Sequence, residues 1–226
     1  LTEQGNKVQI IDFVPLGVDK ANKPLFVRDK SAIKRMIKKA LILPNYFKLK
    51  KRNKRFADFR KEFLYLSDKF RNAKEIKSAP LDYDICITGS DQVFNPLIQD
   101  SDIYYLDFCS KVSKVAYAPS FGIKDFSLVG DKTRNLIKLF NHLSCREADG
   151  AEFLSVVTGN SVPTVSDPVF LLSPDKWNKI TPPPRDGRYI FVYDLNGGNN
   201  LIAIADRIKA ETGLPIVCIT ACKYSN

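Results

Sequence analysis

The sequence predicts an α/β protein: a Rossmann-like parallel sheet domain followed by the beginning of a second one. Short apolar, β-branched runs begin near residues 84, 114 and 143, and a helical pattern separates the last two. A further strand-helix-strand pattern occupies residues 188–220. Parallel neighbouring strands need a long crossover connection, so this order of elements indicates parallel pairing.

The composition is that of a folded globular protein. Of the 226 residues, 44% are hydrophobic and 27% are charged, which excludes a disordered chain. No apolar run reaches the length of about eighteen residues that a transmembrane helix needs. The net charge of +10 favours a partner of opposite sign, and nucleic acid, a membrane surface and anionic metabolites are the candidates.

The five cysteines are scattered through apolar runs, at positions 86, 109, 145, 218 and 222. An odd number in such places predicts mostly buried, reduced thiols and hence a reducing compartment. Cys218 and Cys222 could be half of a metal site. With one histidine in the chain and no second cysteine pair nearby, however, no metal is predicted.

The N-terminal part of the chain predicts one strand and two helices. Residues 1–7 resemble the end of a helix capped by Gly5, which suggests that the chain begins inside a domain. Residues 7–13 predict a strand, and Ser31 predicts the N-cap of a helix whose apolar face is formed by Ile33, Ile37 and Leu41. The longest helical pattern covers residues 46–70, with a stripe formed by Phe56, Phe59, Phe63, Leu66 and Phe70.

The middle of the chain predicts the central sheet. Residues 85–88 predict a strand covered on both faces, and residues 114–120 and 143–146 predict two more strands. Residues 103–108 predict a short strand or an extended segment. A helix over residues 127–142 should point four side chains inward, those of Val129, Leu136, Leu139 and Phe140.

The C-terminal part predicts a linker and a small second unit. A helix capped by Asp149 and a short helix opened by Ser173 precede the most linker-like stretch, residues 181–187. A strand, a helix capped by Gly213 and a second strand then follow, at residues 188–194, 199–212 and 216–220. One such unit is too small to be a domain. The assignment is therefore a first domain at 1–172, a linker at 173–187 and the beginning of a second domain at 188–226.

A dense polar loop follows the strand at residues 85–88. Between Gly89 and Pro96 it carries four hydrogen-bonding side chains, those of Ser90, Asp91, Gln92 and Asn95. Ligands of open α/β sheets bind outside the carboxyl ends of the strands, so this loop is a candidate site. The alternative is a helix N-terminus that Ser90 or Asp91 caps.

Four segments of the chain resemble, in order, motifs of the polysaccharide pyruvyl transferase family. Residues 89–96 are similar to Gly-Ser-Asp-Gln-Val-Trp-Asn-Pro, with Phe94 in place of tryptophan, which removes an indole donor. Residues 104–122 resemble a segment with Tyr-Phe-Leu-Asp-Phe and then Ser-Tyr-Ala-Ala-Ser-Phe-Gly. Residues 143–147 resemble Ile-Ser-Val-Arg-Glu, and residues 165–172 resemble a segment with Asp-Pro-Thr-Leu-Leu-Leu.

The resemblance implies a glycosyltransferase-B-like architecture, here truncated at both ends and therefore inactive alone. It implies transfer of the enolpyruvyl group of phosphoenolpyruvate to a sugar of a bacterial cell-surface polysaccharide, or of its lipid-linked precursor, forming a pyruvate ketal. Phosphoenolpyruvate is the donor substrate, and no cofactor is implied. The implied location is the cytoplasm, with peripheral contact at the inner face of the membrane.

The implied reaction needs donors for a phosphate and a carboxylate, an acid for the methylene carbon and a base for the hydroxyls. Arg146 is the candidate for the anions, because its planar fork pairs bidentately with either one. The alternative for Arg146 is a structural ion pair with Glu147 or Asp149. Asp91 is the candidate base or sugar-orienting group, with helix capping as its alternative.

The candidate substrate-binding residues are Ser90, Gln92, Asn95, Ser120 and Gly122. The amides of Gln92 and Asn95 can serve sugar hydroxyls or tie down their own loop. Ser120 and Gly122 can offer a hydroxyl and a backbone N–H to phosphate, or form a tight turn. Three other features carry less weight: His142 is interpreted as a helix C-terminal cap, Asp167-Pro168 as a turn, and Asn196-Gly197-Gly198 as a weak phosphate candidate.

A strong excess of positive charge opens the long helix, at residues 48–55. It is either a solvated helix end or a site for an anionic surface or polymer. No aromatic residues interleave with it and no nucleic-acid motif accompanies it. The resemblance implies products that belong to cell-surface glycans assembled at the inner membrane, so an anionic membrane is preferred to nucleic acid. Two rival functions stay open: a nucleotide-sugar-dependent glycosyltransferase on the same architecture, and a non-catalytic basic module that recruits glycan machinery to membranes.

Overall fold

The computed structural model of the chain describes residues 1–14, 23–25, 27, 30–98, 101–109, 112–181, 185–194 and 199–220. It divides into two compact units. The terminal unit comprises Leu1–Asp12, Leu16–Asp68 and Pro183–Asn226, and the central unit comprises Phe13–Pro15 and Lys69–Pro182. The predicted segments 182–184 and 196–198, and Cys222, lie outside the described residues.

The described residues form strands and helices in alternation. The strands are β1 (Ile10–Phe13), β2 (Leu66–Phe70), β3 (Ile85–Thr88), β4 (Ser113–Ala116), β5 (His142–Leu143), β6 (Ile190–Asp194) and β7 (Ile216–Thr220). The α-helices are α1 (Ala32–Ile42), α2 (Tyr46–Phe63), α3 (Ala73–Lys77), α4 (Asp131–Ile137), α5 (Ala148–Thr158), α6 (Pro174–Ile180) and α7 (Asn199–Thr212). Short 3-10 helices lie at Thr2–Gln4, Leu43–Asn45, Ser101–Tyr105, Phe126–Leu128 and Pro168–Leu171.

The central unit is built on a parallel sheet with the strand order β3-β4-β5. Ile85 pairs with Ser113, and Val115 of β4 pairs with His142. Helix α4 lies in the connection between β4 and β5, as a parallel pair requires. In the terminal unit, β6 and β7 form a second parallel pair joined by α7. The predicted α/β class with parallel strands is therefore confirmed, while the domain boundaries stay predictions.

The core of the central unit is aromatic. Phe94 and Tyr105 are fully buried, and their rings stack with centroids 4.5 Å apart. Phe121 contacts Phe94 edge-on at 5.6 Å. The Tyr105 hydroxyl donates to the Phe94 carbonyl at 3.0 Å, as a buried tyrosine requires. Because Phe94 belongs to the loop after β3, this core anchors the polar loop to the unit.

Several predicted elements are confirmed. The Ser31 side chain accepts from the Lys34 backbone N–H at the start of α1, and Ser173 precedes α6. Helix α7 has its predicted bounds, and Gly213 ends it in the left-handed conformation at φ 70°. Gly5 likewise caps a short N-terminal helix at φ 83°. These capping signals are local in sequence, so they can be recognised without knowledge of the fold.

The predicted helix over residues 46–70 is wrong in its second part. Helix α2 ends at Phe63, and Leu66–Phe70 form β2, which pairs with β1. The Ile10 N–H donates to the Tyr65 carbonyl at 2.8 Å. Leu66 and Phe70 are four residues apart, a separation that places both on one face of a strand as well as of a helix. Pairing with β1 from far earlier in the chain decides between the two.

The connection from β4 to β5 also differs from its prediction. Helix α4 begins after Gly130 and ends at Ile137, well inside the predicted range 127–142. The Asn141 N–H donates to the Lys114 carbonyl at 2.9 Å, which draws the chain into the sheet and stops the helix. Val129 is buried as predicted, whereas Leu139 is exposed. His142 begins β5 instead of capping a helix.

Other boundaries are corrected as well. Residues 103–108 are not a strand, because a 3-10 helix covers Ser101–Tyr105. Strand β4 ends at Ala116, and β5 is two residues long, with one further bridge between Cys145 and Thr164. The N-cap of α5 is Glu147, and Asp149 lies in the first turn. Strand β3 is covered on one face only, since Ile85 and Ile87 are exposed while Cys86 and Thr88 are buried.

The cysteine prediction is corrected in part. Cys86 and Cys109 form a disulfide with their Cα atoms 6.8 Å apart, so these two thiols are not reduced and do not support the predicted reducing compartment. Spacing along the sequence gave no sign of this pairing, because β3 and the segment after Leu106 meet only in the folded unit. Cys145 is a buried free thiol, as predicted, and Cys218 is free and exposed.

We predict that replacing Phe94 by tryptophan, which the motif that residues 89–96 resemble has at this point, destabilises this protein. Phe94 has no exposed surface and contacts the rings of Tyr105, Phe121 and Phe140, so a larger indole overfills the site. Phe94→Trp should lower the free energy of unfolding by about 1–3 kcal/mol, measured by urea denaturation. The matched control is Phe56→Trp at a 65% exposed position, and equal effects in both variants would contradict the prediction.

Candidate active site

Three loops of the central unit meet at the carboxyl ends of β3, β4 and β5. They are residues 89–98, 117–122 and 144–147. Backbone hydrogen bonds join them: Ser120 N–H to the Asp91 carbonyl at 2.7 Å, and Arg146 N–H to the Pro119 carbonyl at 3.1 Å. The polar loop is thereby held where α/β proteins bind ligands.

The polar loop has an unusual backbone that its sequence permits. Gly89 has φ 124°, and a Cβ there would lie 1.9 Å from the Tyr117 carbonyl oxygen, so the loop needs glycine at this point. Asp91 adopts φ 62°, a conformation that aspartate tolerates better than most residues. The Asp91 side chain is 86% exposed and thus free to meet a ligand.

Arg146 and Asp167 form the charged centre of the site. The Arg146 guanidinium donates through one terminal nitrogen, Nη1, to Asp167 Oδ2 at 3.1 Å and through Nε to Glu147 Oε1 at 3.0 Å. Its other terminal nitrogen, Nη2, lies 3.8 Å from Asp91 Oδ1. The Ser90 hydroxyl donates to the same Asp167 oxygen at 2.9 Å. The loops 89–98 and 144–147 and the segment around Asp167 therefore converge on one guanidinium.

These contacts fix the ionisation of the centre. The Val169 backbone N–H, then the Ser90 hydroxyl and Arg146, hold the pKa of Asp167 below its ordinary value. Hydrogen bonds to Glu147 and Asp167 raise the pKa of Arg146. The arginine is half-buried and oriented by two carboxylates, and its nitrogen Nη2 is the donor edge that points toward exposed Asp91.

Two of the predicted substrate-binding side chains hold their own loop. The Asn95 amide donates to Gln92 Oε1 at 3.1 Å, and Asn95 Oδ1 accepts from the Leu97 N–H at 2.9 Å. Asn95 is buried. The alternative considered for these amides, bonding within the loop, is what the structure shows, although exposed Gln92 keeps its amide nitrogen for other partners.

Ser120 and Gly122 form a turn against this loop. The Ser120 hydroxyl accepts from the Gly122 N–H at 3.1 Å, and Ser120 is buried. Gly122 has φ 61°, and a Cβ there would lie 2.4 Å from the Gln92 side chain. The turn expected as the alternative is present, and it is tight because the polar loop packs directly on it.

A pocket of about 300 Å³ opens beside the charged centre. Its wall combines the turn at Ser120 and Gly122, the ring of Phe126, Lys124 and the start of α5 with Glu147 and Asp149. Apolar and aromatic surface with a few polar groups is typical of ligand pockets. The pocket shares Glu147 with the ion pairs of Arg146, so the two features form one site.

The structure brings together most of the predicted site residues. Ser90, Asp91 and Arg146 meet around Asp167, and Gln92, Asn95, Ser120 and Gly122 build the adjoining turn. Sequence reasoning missed Asp167, interpreted as part of a turn, although it lay in a family-like motif. It also assigned Glu147 only to pairing with Arg146. The functional roles of all these residues stay predictions.

No metal centre or spanning helix accompanies the site within the part of the chain that the structure describes. The described residues contain no group of three or more histidine, cysteine or acidic side chains arranged to hold a metal ion. Among the same residues, no helix combines the length and the apolar character needed to cross a membrane. His142 is exposed in β5.

The site of this protein is an ionised polar cluster at the carboxyl ends of parallel strands. This arrangement is typical of the α/β proteins that bind ligands at this edge of the sheet. A family model for polysaccharide pyruvyl transferases matches residues 18–224. The chain therefore belongs to the polysaccharide pyruvyl transferase family. Comparison with curated proteins and with solved structures finds no match.

We predict that Gly122→Ala destabilises the site's turn. Alanine is strained at φ 61°, and its Cβ would collide with the Gln92 side chain, so the free energy of unfolding should fall by about 1–3 kcal/mol. Urea denaturation measures it. Gly130→Ala is the matched control, because no atom lies within 4 Å of its added Cβ. An equally small loss of unfolding free energy in both variants would show that the turn accommodates alanine, which would contradict the prediction.

We predict that the Ser90 hydroxyl keeps the Asp167 carboxylate ionised. In Ser90→Ala the pKa of Asp167 should rise relative to the wild type, because a donor to the charged form is lost. Carbon NMR of the carboxyl during an acid titration measures it. The contribution of Asp167 to stability exists above the pKa of the unfolded chain, about 4, and is lost as pH falls through the lower folded value.

The control for this titration is Ser161→Ala, at an exposed position outside the site. It should leave the titration of Asp167 unchanged. If the midpoint of Asp167 is the same in the wild type and in Ser90→Ala, the hydrogen bond does not tune the carboxylate.

Proposed function

We propose that the protein transfers the pyruvyl unit of phosphoenolpyruvate to two hydroxyls of a sugar in a cell-surface polysaccharide or its lipid-linked precursor. Family membership supports transfer to a polysaccharide. The observation that carries the donor assignment is the arginine fork of Arg146, held by Asp167 and Glu147 with its nitrogen Nη2 beside exposed Asp91. No cofactor is needed, because the enol phosphate is itself the activated group.

In this proposal Arg146 binds one anionic group of phosphoenolpyruvate. Two of its donors are already engaged, so the substrate meets the terminal nitrogen Nη2 and displaces the contact with Asp91 at 3.8 Å, which is at the limit of an ion pair. A guanidinium held in place by two carboxylates loses little freedom on binding, which favours a defined substrate geometry.

Asp91 then serves the sugar. A proton added to the methylene carbon of phosphoenolpyruvate makes the neighbouring carbon electrophilic, and a sugar hydroxyl attacks that carbon while Asp91 accepts its proton. The carbon–oxygen bond to phosphate breaks, and the second hydroxyl closes the ketal. One hydroxyl proton balances the new methyl group and the other leaves with phosphate. The exposure of Asp91 supports this role, because a large acceptor must reach it.

The carboxylates around Arg146 also shape selectivity. Asp91, Glu147 and Asp167 surround the single guanidinium, so the anionic donor is proposed to bind only at its nitrogen Nη2, which lies 3.8 Å from Asp91 Oδ1. Hydroxyl groups, by contrast, find several acceptors in Glu147 and Asp149 on the pocket wall. The pocket is therefore proposed as the place of the acceptor sugar, and the Arg146 edge as the place of the donor.

The cellular setting belongs to the same proposal. A reaction that uses phosphoenolpyruvate fits the bacterial cytoplasm, at the inner face of the membrane where lipid-linked sugars are available. A glycosyltransferase-B-like pairing of two sheet domains is proposed for the complete enzyme. Transfer is assayed with the complete gene product.

We predict that Arg146→Ala weakens phosphoenolpyruvate binding by about 10- to 100-fold, since a charge-assisted hydrogen bond contributes about 1.5–3 kcal/mol. Calorimetric titration of the chain measures it. Arg146→Lys keeps the charge but loses the fork and should recover only part of the affinity. Arg207→Ala, at an exposed position in α7, is the matched control.

The same titration separates the rival functions. A response to a nucleotide sugar without a response to phosphoenolpyruvate would replace this proposal with the glycosyltransferase. With the complete gene product, an acceptor gain equal to one pyruvyl ketal, lost in Arg146→Ala, would establish the reaction. A folded protein that responds to no small ligand would favour a non-catalytic module.

A further inference from the structure

We propose that helix α1 of the terminal unit is a membrane-interface helix that inserts its apolar face into an anionic lipid surface. The proposal concerns where the protein works and does not depend on the proposed reaction. It is carried by an exposed apolar face on α1 together with the distribution of positive charge along residues 30–57.

Helix α1 presents its apolar side to solvent. Its four large apolar side chains on this side are 53–69% exposed, and they are Ile33, Met36, Ile37 and Leu41. At about 100° per residue they share one arc of about 140° with Ala40. We call this arc the α1 apolar face. The predicted face of Ile33, Ile37 and Leu41 is thus present, and it points to solvent.

The opposite side of α1 is the side that packs. Ile42 is 1% exposed, and on the helical projection it lies across from the α1 apolar face. Lys38, next to Ile42 on that projection, is half-buried. Packing at Ile42, the last residue of the helix, therefore leaves the α1 apolar face exposed. The capping of α1 by Ser31 shows that the helix is defined from its first turn.

The exposed apolar surface continues beyond α1. Leu43 is 59% exposed and Phe47, in the first turn of α2, is 79% exposed. Monomeric soluble proteins rarely expose contiguous apolar patches of this kind unless a partner or a membrane covers them. An eleven-residue helix is too short to cross a bilayer, so it would lie in the plane of the interface.

Positive charge decides which partner fits. Between Lys30 and Arg55 the chain has eleven lysines and arginines, and no carboxylate occurs before Asp58. The excess of basic over acidic residues in the whole chain is ten, so this segment accounts for the net charge and the other residues are close to neutral. Basic residues that flank an apolar arc are typical of helices that bind anionic membranes.

Other partners fit these features less well. Lysines border the apolar arc at Lys34 and Lys39, so a protein partner would need an acidic rim as well as an apolar centre. Nucleic acid would use the cations but would leave the isoleucines exposed, and α1 has no aromatic residue for base stacking. An anionic lipid surface is the partner that uses both features at once.

The experiment is co-sedimentation of the 226-residue chain with lipid vesicles. Vesicles with about one third phosphatidylglycerol are compared with pure phosphatidylcholine vesicles, at sodium chloride concentrations from about 50 mM to about 500 mM. We expect binding to the anionic vesicles that weakens with salt, and little binding to the neutral ones. Size-exclusion chromatography of each variant without lipid gives the oligomeric state.

Two variants separate the apolar and charged contributions. Ile33→Gln with Ile37→Gln keeps helix propensity and should weaken binding on the order of tenfold or more, because the inserted surface is lost. Its matched control is Val156→Gln, at a 77% exposed position of α5. Lys34→Gln with Lys39→Gln should weaken binding about fivefold for each charge removed, against Lys179→Gln with Lys209→Gln as control.

Each outcome decides the proposal. Loss of binding in the isoleucine variant, with the control unchanged, supports insertion of the α1 apolar face. Binding that depends only on charge, with the isoleucine variant equal to the wild type, overturns insertion. Absence of vesicle binding also overturns it. If the wild type is an oligomer and the isoleucine variant is a monomer, the face binds a second copy of the chain and the proposal is overturned as well.

Discussion

The ion pair between Arg146 and Asp167 is the contact on which the candidate site depends. Asp167 also accepts from Ser90, so one carboxylate joins the loop after β3 to the loop after β5. Local sequence does not join the two loops, because Ser90, Arg146 and Asp167 are far apart along the chain. Removing the carboxylate would leave a half-buried guanidinium paired with Glu147 and, at 3.8 Å, with Asp91, and the Ser90 hydroxyl without its hydrogen bond to Asp167.

The aromatic core gives this contact a fixed base. Phe94 carries the polar loop into the interior, where it stacks on Tyr105 and meets Phe121. Phe121 in turn follows Ser120, whose backbone bonds to both Asp91 and Phe94. The polar loop is therefore positioned by the packing of Phe94 in the aromatic core and by its backbone hydrogen bonds to Ser120. Such support is what a preorganised site requires.

Charge is divided between the two units. The candidate site in the central unit gathers carboxylates around one arginine, whereas the segment from Lys30 to Arg55 in the terminal unit carries the net charge of the chain. An overall charge of +10 therefore says little about the chemistry of the site. The net charge describes the surface of one segment. Together with the α1 apolar face, that surface is proposed to bind an anionic membrane.

The sequence by itself determined the α/β class, the polar loop after β3, the capped helices α1 and α7, and the family, because these are local patterns or ordered motifs. The tertiary structure alone decided that residues 66–70 form a strand, that Cys86 meets Cys109, and that Asp167 joins Arg146. It also decided that the face formed by Ile33, Ile37 and Leu41 points outward. The strand pairing, the disulfide and the ion pair each depend on a partner distant in sequence. The direction of the apolar face was not predictable because the period of a sequence gives the spacing of apolar residues and does not show what covers them.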